Sequence, residues 1–341
     1  MDISRRFRPN KSLKISFLSI LIIVLTSNFT VFASGGDGEE FNPGEMIMHH
    51  VKDAHEWHFF DIGETQVTLP LPIILYSEKN GFVSFLSSKF HHGETSYKGY
   101  KLDHSGHIVA EDGHEFYDIS ITKNVAALFM GSILMIIIFL SVAKGYRKNE
   151  GRAPKGIQSF FEPIIVYVKD EIVKPNVGPK YQRYLPYLLT LFFFIWFGNL
   201  FGLLPGAANL TGNIAVTLVL AVFTLIITLV SANKNYWGHI FNPPGVPGPL
   251  KIIIIPVEII GILSKPFSLM LRLFVAITAG HIVILSLIGL VFIFHSWQVG
   301  IVSTLIVTFI NIIELLVASI QAYVFTLFSA MYIGMAIEEH H

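Results

Sequence analysis

Cysteine is absent from the 341 residues. That excludes disulfides, thiolate nucleophiles and cysteine-ligated metals, and it leaves the compartment open. Charge is scarce: 14% of residues are Asp, Glu, Lys or Arg, against about 25% in an average soluble chain. The formal net charge is zero, so the positions of the charges carry more information than their sum. There is no phosphate-binding P-loop, no nucleophile elbow and no HExxH motif, so nothing points to an autonomous enzyme. What is abundant is apolar: 52% of the chain, in several runs longer than the roughly 18 residues at which a spanning helix is the default reading. The expected fold class is an all-α polytopic membrane protein.

Residues 1–33 have the form of a signal peptide. Arg5, Arg6, Arg8, Lys11 and Lys14 precede the apolar stretch Ile15–Leu25, and Val31 and Ala33 place small residues at a cleavage site. An uncleaved anchor is the alternative, and either places residue 34 onward outside the cytoplasm. Residues 34–120 are polar and carry nine of the fourteen histidines. The spacing of His49, His50, His55 and His58 admits a metal site, but no pattern closes a coordination shell; a solvated extension is the plainer reading. Glu45–Phe60 has the makings of a surface helix, whereas Gln66–Leu75 and Gly81–Leu86 read as extended.

Residues 121–341 form the membrane domain. Val125–Ala143 is its first span. The following stretch, Lys144–Arg183, holds nine Lys/Arg against four acids, which makes it cytoplasmic by the positive-inside rule. Within it Ile157–Val173 has helical period. Leu185–Leu204 and Ile214–Ser231 cross next. Ile252–Leu263 is short, contains Pro256 and lies between Lys251 and Lys265, so an interfacial segment is expected there. Phe267–Phe294 and Gly300–Ile337 then make a hairpin. Five crossings result, with the amino end outside and the carboxyl end inside. The last two segments would measure roughly 42 and 54 Å as helices, longer than an upright span needs, so a steeply tilted hairpin is expected.

Arg272 is the only fixed charge between Phe267 and Phe294. An arginine in hydrocarbon costs roughly 2.5–3.5 kcal/mol on insertion scales, so it should face protein or water and should have a role. Glu314 is its counterpart in the next run. Helical spacing puts Asn311, Glu314, Gln321 and Tyr332 on one stripe, and Arg272 and His281 on opposite faces of theirs. In an antiparallel hairpin turning near residue 297, His281 matches Glu314 in depth and Arg272 matches Gln321. A His–Glu pair can relay protons because both groups titrate, while arginine stays charged. The plainer alternative is a structural histidine. For Ser268, Thr278 or Ser319 alone, helix packing is the better account.

The block SKPFSLMLRLF, Ser264 to Phe274, resembles subunit a of the F-type rotary ATP synthase. So does Gln321-Ala322-Tyr323 with Tyr332 on the return helix. The resemblance covers roughly residues 120–339, with a faint echo at Met46–Val51. It implies a proton-conducting stator that lies against a ring of c subunits and joins the peripheral-stalk b subunits in the bilayer of the bacterial inner membrane. It implies no cofactor, no nucleic acid and no substrate but the ion. The family's essential arginine falls on Arg272, and its glutamate before the SKP block falls on Glu258. Asn199, Asn213 and Ser268 fall on polar or motif positions. Many members have an acid where His281 stands and a histidine where Glu314 stands, so the pair is exchanged here. The usual Gly-Asn after RLF is Val275-Ala276. A Na⁺-coupled subunit is one alternative. A secondary transporter is another, but it would show inverted repeats and midplane helix breaks, neither of which is visible.

Overall fold

Alternation and turn chemistry shape the amino-terminal part, and long apolar runs shape the rest. The computed structural model describes residues 53–338 except 63–64, 94, 104–105, 205–207, 244–246 and 295. The signal-peptide segment and His49 and His50 lie outside the described residues.

Two units are distinguished. The first holds residues up to 130 together with 201–208 and 284–312. Among the described residues seven short strands build its β part. β1 (Glu56–Ile62) and β2 (Thr65–Pro70) form a hairpin in the register Glu56↔Pro70 to Ile62↔Thr65, with an irregularity between His58 and Phe60. β3 (Pro72–Ser77) is the centre of the order β4-β3-β7, with β4 at Gly81–Leu86 and β7 at Tyr117–Asp118. β5 (Tyr100–Leu102) pairs with β6 (Ile108–Ala110). Period-two alternation buries Ile73, Leu75 and Val83 with Phe90, Tyr100 and Ile108 in a small core. The buried Tyr100 hydroxyl is satisfied by Ser77 Oγ at 3.3 Å and His114 Nε2 at 3.1 Å. His114 pairs in turn with Asp112, and Asp112 with Lys79. The surface helix expected up to Phe60 is not formed over residues 56–60; pairing with β2 overrides local helical pattern.

Among the described residues five helices are long and apolar enough to cross a membrane. α1 (Lys123–Lys148) is the first. α2 (Ile157–Tyr167) continues through a π-helical turn, Val168–Val173, into α3 (Lys174–Val177). After a 3₁₀ turn comes α4 (Tyr181–Gly202). α5 (Ile214–Ser231), the short α6 (Lys234–Phe241), α7 (Gly248–Phe294) and α8 (Trp297–Ile337) follow.

The segment Ile252–Leu263, expected to be interfacial, is continuous with the next: both belong to α7, which runs unbroken for 47 residues through Pro256 and Pro266. Each proline removes one ladder bond, which membrane helices tolerate where neighbours re-satisfy the backbone. Lys265, within the same helix, places its Nζ over the Tyr332 ring, 5.4 Å from the centroid. α7 and α8, 47 and 41 residues long, reach about 70 and 62 Å.

The second unit holds residues 131–200, 209–283 and 313 onward. Its core is Leu188, Phe193 and Ile195 of α4, Leu269, Leu273 and Ile277 of α7, and Phe325 and Ile333 of α8, with Val168, Ile172 and Val173 of the π turn. Small buried residues line α8 at Ala318, Ala322, Thr326, Ser329 and Ala330. Small side chains let helix backbones approach closely, which in lipid is the main source of association. A Cβ at Gly334 would collide with the carbonyl oxygen of Asn176, so the last helix fits against the end of α3 only through glycine.

Candidate functional site

α7 and α8 run antiparallel, so residues equidistant from their turn share a level. His281 and Glu314 meet this way: His281 Nδ1 lies 3.5 Å from Glu314 Oε1. Glu314 is buried, at 8% exposure, and His281 is half-buried. The neighbour that makes room is one that sequence reasoning missed. A Cβ at Gly280 would overlap Glu314 Oε1 and lie 3.0 Å from Cδ. Only a residue without a side chain lets that carboxylate lie against the α7 backbone. The available signal was a glycine directly before the candidate histidine in a helix of bulky residues.

α4 adds polar groups one turn further along α8. The buried Asn199 donates from Nδ2 to the Ala318 carbonyl at 3.0 Å and accepts from Thr211 Oγ1 at 2.6 Å. Trp196 Nε1 donates to Ser319 Oγ at 3.0 Å. Asn199 thus ties α4 both to α8 and to the loop before α5. Asn213 caps α5, its side-chain oxygen accepting from the Ala215 N–H at 2.9 Å. Asn311, one turn before Glu314, has a buried Nδ2 with no hydrogen-bond partner among the described residues. Gln321 is half-buried two turns beyond Glu314.

Arg272 belongs to a different surface from His281. Ser268, Arg272, Val275 and Ala279 follow one another at spacings of four, three and four along α7. Ser268, Val275 and Ala279 are exposed and Arg272 is half-buried, so this stripe is uncovered. Arg272 Cζ lies 4.2 Å from the centroid of the Phe328 ring, within the range of a cation–π contact. Among the described residues Arg272 makes no ion pair. The depth match expected between Arg272 and Gln321 gives no hydrogen bond among the described residues; the group beneath the guanidinium is Phe328, seven residues further on. Phe328 is 6.0 Å from Tyr332, and Tyr332 carries Lys265. Two α7 cations therefore rest on two neighbouring aromatic rings of α8. Glu258 is half-buried earlier on α7.

In the β part, His55 Nε2 lies 3.1 Å from Asp118 Oδ2, and the side chain of His58 lies outside the described residues. Among the described residues no three His, Asp or Glu side chains gather as a metal site.

Chemically, the membrane part holds three things. One is a buried carboxylate beside an imidazole. Another is a permanent cation on an uncovered helix face. The third is a set of amides and hydroxyls tying α4, α5 and α8 together.

Comparison with known proteins adds the family. The model of the ATP synthase A chain matches residues 127–334, a range that contains all ten membrane residues singled out above. A second model, described as a domain of unknown function (DUF8433), matches residues 46–127. The ATP synthase subunit a of Chloroherpeton thalassium is 41% identical over 263 residues, covering 70% of this chain and 78% of that protein. ATP synthase subunit a 2 of Chlorobaculum tepidum is 40% identical, covering 87% and 74%. The ATP synthase subunit a of Pelodictyon phaeoclathratiforme is 45% identical, covering 89% and 78%. With an essentially unbroken family match along the membrane part and relatives at this identity over most of their length, the chain belongs to the ATP synthase A chain family.

Proposed function

We propose that this chain is the proton-translocating stator subunit of a bacterial ATP synthase, a non-catalytic multi-pass subunit of the inner membrane. Residues 121–341 are its working domain; residues 34–120 lie outside the cytoplasm and the carboxyl end inside. A ring of c subunits and the peripheral-stalk b subunits are its partners.

One observation carries this reading: Arg272 stands on the uncovered face of α7 and makes no ion pair among the described residues. A membrane arginine without an acid of its own chain calls for an acid from elsewhere or for water. A ring carboxylate moving past supplies that acid.

Protons enter from outside through a half-channel at His281 and Glu314. An imidazole and a carboxylate side by side can each take up and release a proton, which is what an inlet needs. Asn311, Gln321, Asn199, Asn213, Ser268, Glu258 and Tyr332 complete the polar path on its two sides. Arg272 draws the ionised ring carboxylate to itself. Because it cannot release its own proton, it keeps the inlet separate from the cytoplasmic outlet. Net proton flow then requires the ring to turn.

The test is Arg272→Ala in inverted membrane vesicles carrying the whole complex. Loss of proton-driven ATP synthesis is expected. Synthesis at the unmodified rate, or synthesis that follows a Na⁺ gradient in place of a proton gradient, would overturn the assignment.

A further inference from the structure

An antiparallel sheet with one face in a core normally turns a polar face outward. The β4-β3-β7 sheet does not. Its register sets Phe82, Tyr76 and Tyr117 side by side in one row, and they are 68%, 43% and 71% exposed. Ile119 extends the same face beyond β7, its N–H donating to the Ile74 carbonyl at 2.9 Å, and is 60% exposed. Leu86, at the end of β4, is 49% exposed. By alternation within the three strands no Lys, Arg, Asp or Glu shares this face; the exposed Ser84 is its one polar strand residue, and the exposed Glu115 stands two residues before β7. Such a contiguous apolar surface marks a place of contact.

Its tether identifies what it touches. The pairing with β3 does not stop at β7. The Ile121 N–H donates to the Pro72 carbonyl at 3.0 Å, two residues before the first membrane helix begins at Lys123. The Lys123 N–H donates to the Ala54 carbonyl at 2.8 Å, and the Asn124 N–H to Asp53 Oδ1 at 3.1 Å. Pairing with β3 thus continues to Ile121, and the first turn of α1 is held in turn to residues 53–54 by one backbone and one side-chain bond, so residues 119–122 are no free linker. Along an extended chain Ile121 lies within roughly 7 Å of the helix start and Tyr117 within roughly 20 Å. The headgroup layer on each side of the hydrocarbon is only about 5–8 Å deep. The Ile121 end of the face is thus tied within the depth of that layer, and the aromatic and aliphatic residues that follow have the composition of the belts that settle at membrane–water boundaries.

We infer that this face is seated on the bilayer itself, at the lipid headgroup boundary of the leaflet in which α1 begins. It would fix the segment matched as a domain of unknown function flat against lipid, independently of what the membrane domain does.

The absence of cysteine makes the test clean. Nitroxide labels are placed one at a time through Phe82→Cys, Tyr117→Cys and, as a reference on the exposed β3–β4 turn, Glu78→Cys. The full chain is reconstituted in phosphatidylethanolamine–phosphatidylglycerol vesicles. Collision with oxygen, which concentrates in lipid, is compared with collision with a water-soluble nickel chelate. Labels at 82 and 117 are expected to favour oxygen over nickel, and the label at 78 the reverse. If both face labels read like the reference, the face stands in water and the inference fails. If both are shielded from both reagents, a protein or a second copy covers the face, and the inference fails equally.

Discussion

Gly280 and Glu314 fit together as a backbone notch and the group that fills it: a side chain at 280 would occupy the space of the Glu314 carboxylate oxygen. That same oxygen is the one facing His281 Nδ1 at 3.5 Å. Gly280→Ala should therefore push the carboxylate off the imidazole without touching either titrating group. In a positioned proton transfer, displacement by about 1 Å can cost on the order of 10²-fold. A loss of at least about tenfold in proton-driven ATP synthesis is expected, with partial recovery when Glu314→Asp shortens the acid in the same chain. An alanine variant that works normally would show that the close fit is only packing.

The pair itself can be inverted. His281→Glu combined with Glu314→His keeps one acid and one imidazole at the same level of the hairpin. The double variant is expected to retain more proton-driven synthesis than either single change. Each single change leaves two like groups side by side, and two carboxylates or two imidazoles cannot share protons in the same way. Equal loss in all three chains would remove the relay.

Phe328 offers a subtler handle. A cation–π contact is worth roughly 0.5–2 kcal/mol, so removing the ring under Arg272 should loosen the guanidinium without removing its charge. Phe328→Ala is expected to lower synthesis by about two- to thirtyfold, while Phe328→Trp, which keeps the aromatic face, stays near the unmodified rate. Identical rates in the two variants would mean that the ring does not position Arg272.

Outside the membrane, Asp118 sets an acid limit for the β part. Burial alone would raise its carboxyl, but hydrogen bonds from His55 and Ser120 outweigh burial and hold it below its ordinary value. A carboxyl whose folded value is depressed stabilises the fold above its unfolded value, about 3.9, and loses that contribution as pH falls through the folded value. Amide exchange at Ile119 and Ile74 should therefore quicken as pH drops below about 4, once corrected for intrinsic rates. Asp118→Asn should be less stable at neutral pH and show a flatter acid dependence. An unchanged acid profile in that variant would assign the dependence to other groups.

Run length and charge placement are properties of local sequence, so much of the membrane part is legible there. Ile214–Ser231 matches its helix to the residue, and the other spans match to within a few residues, apart from the segment at Ile252. The level match of His281 with Glu314 also follows from helical rise and an antiparallel turn, because both are regular. The partner of Arg272 does not follow. Gln321 and Phe328 are two turns apart on α8, and which of them lies beneath the guanidinium depends on helix rotation and crossing, set by packing of Leu273, Ile277, Phe325 and Ile333. The strand at Glu56–Ile62 escapes local reading for a related reason: its helical pattern yields to pairing with the neighbouring segment, which was itself legible as extended.

What the residues determined by themselves is the solvent. With so few charges and such long apolar runs, the chain must satisfy its backbone within helices that cross lipid, and Arg272 is the lone fixed charge of its run. What only the tertiary structure decided is close approach: the space that Gly280 leaves for Glu314, the ring under Arg272, and the sheet pairing that runs on to within two residues of α1. These depend on distances between segments far apart in sequence, and such distances are fixed only when the helices and strands pack.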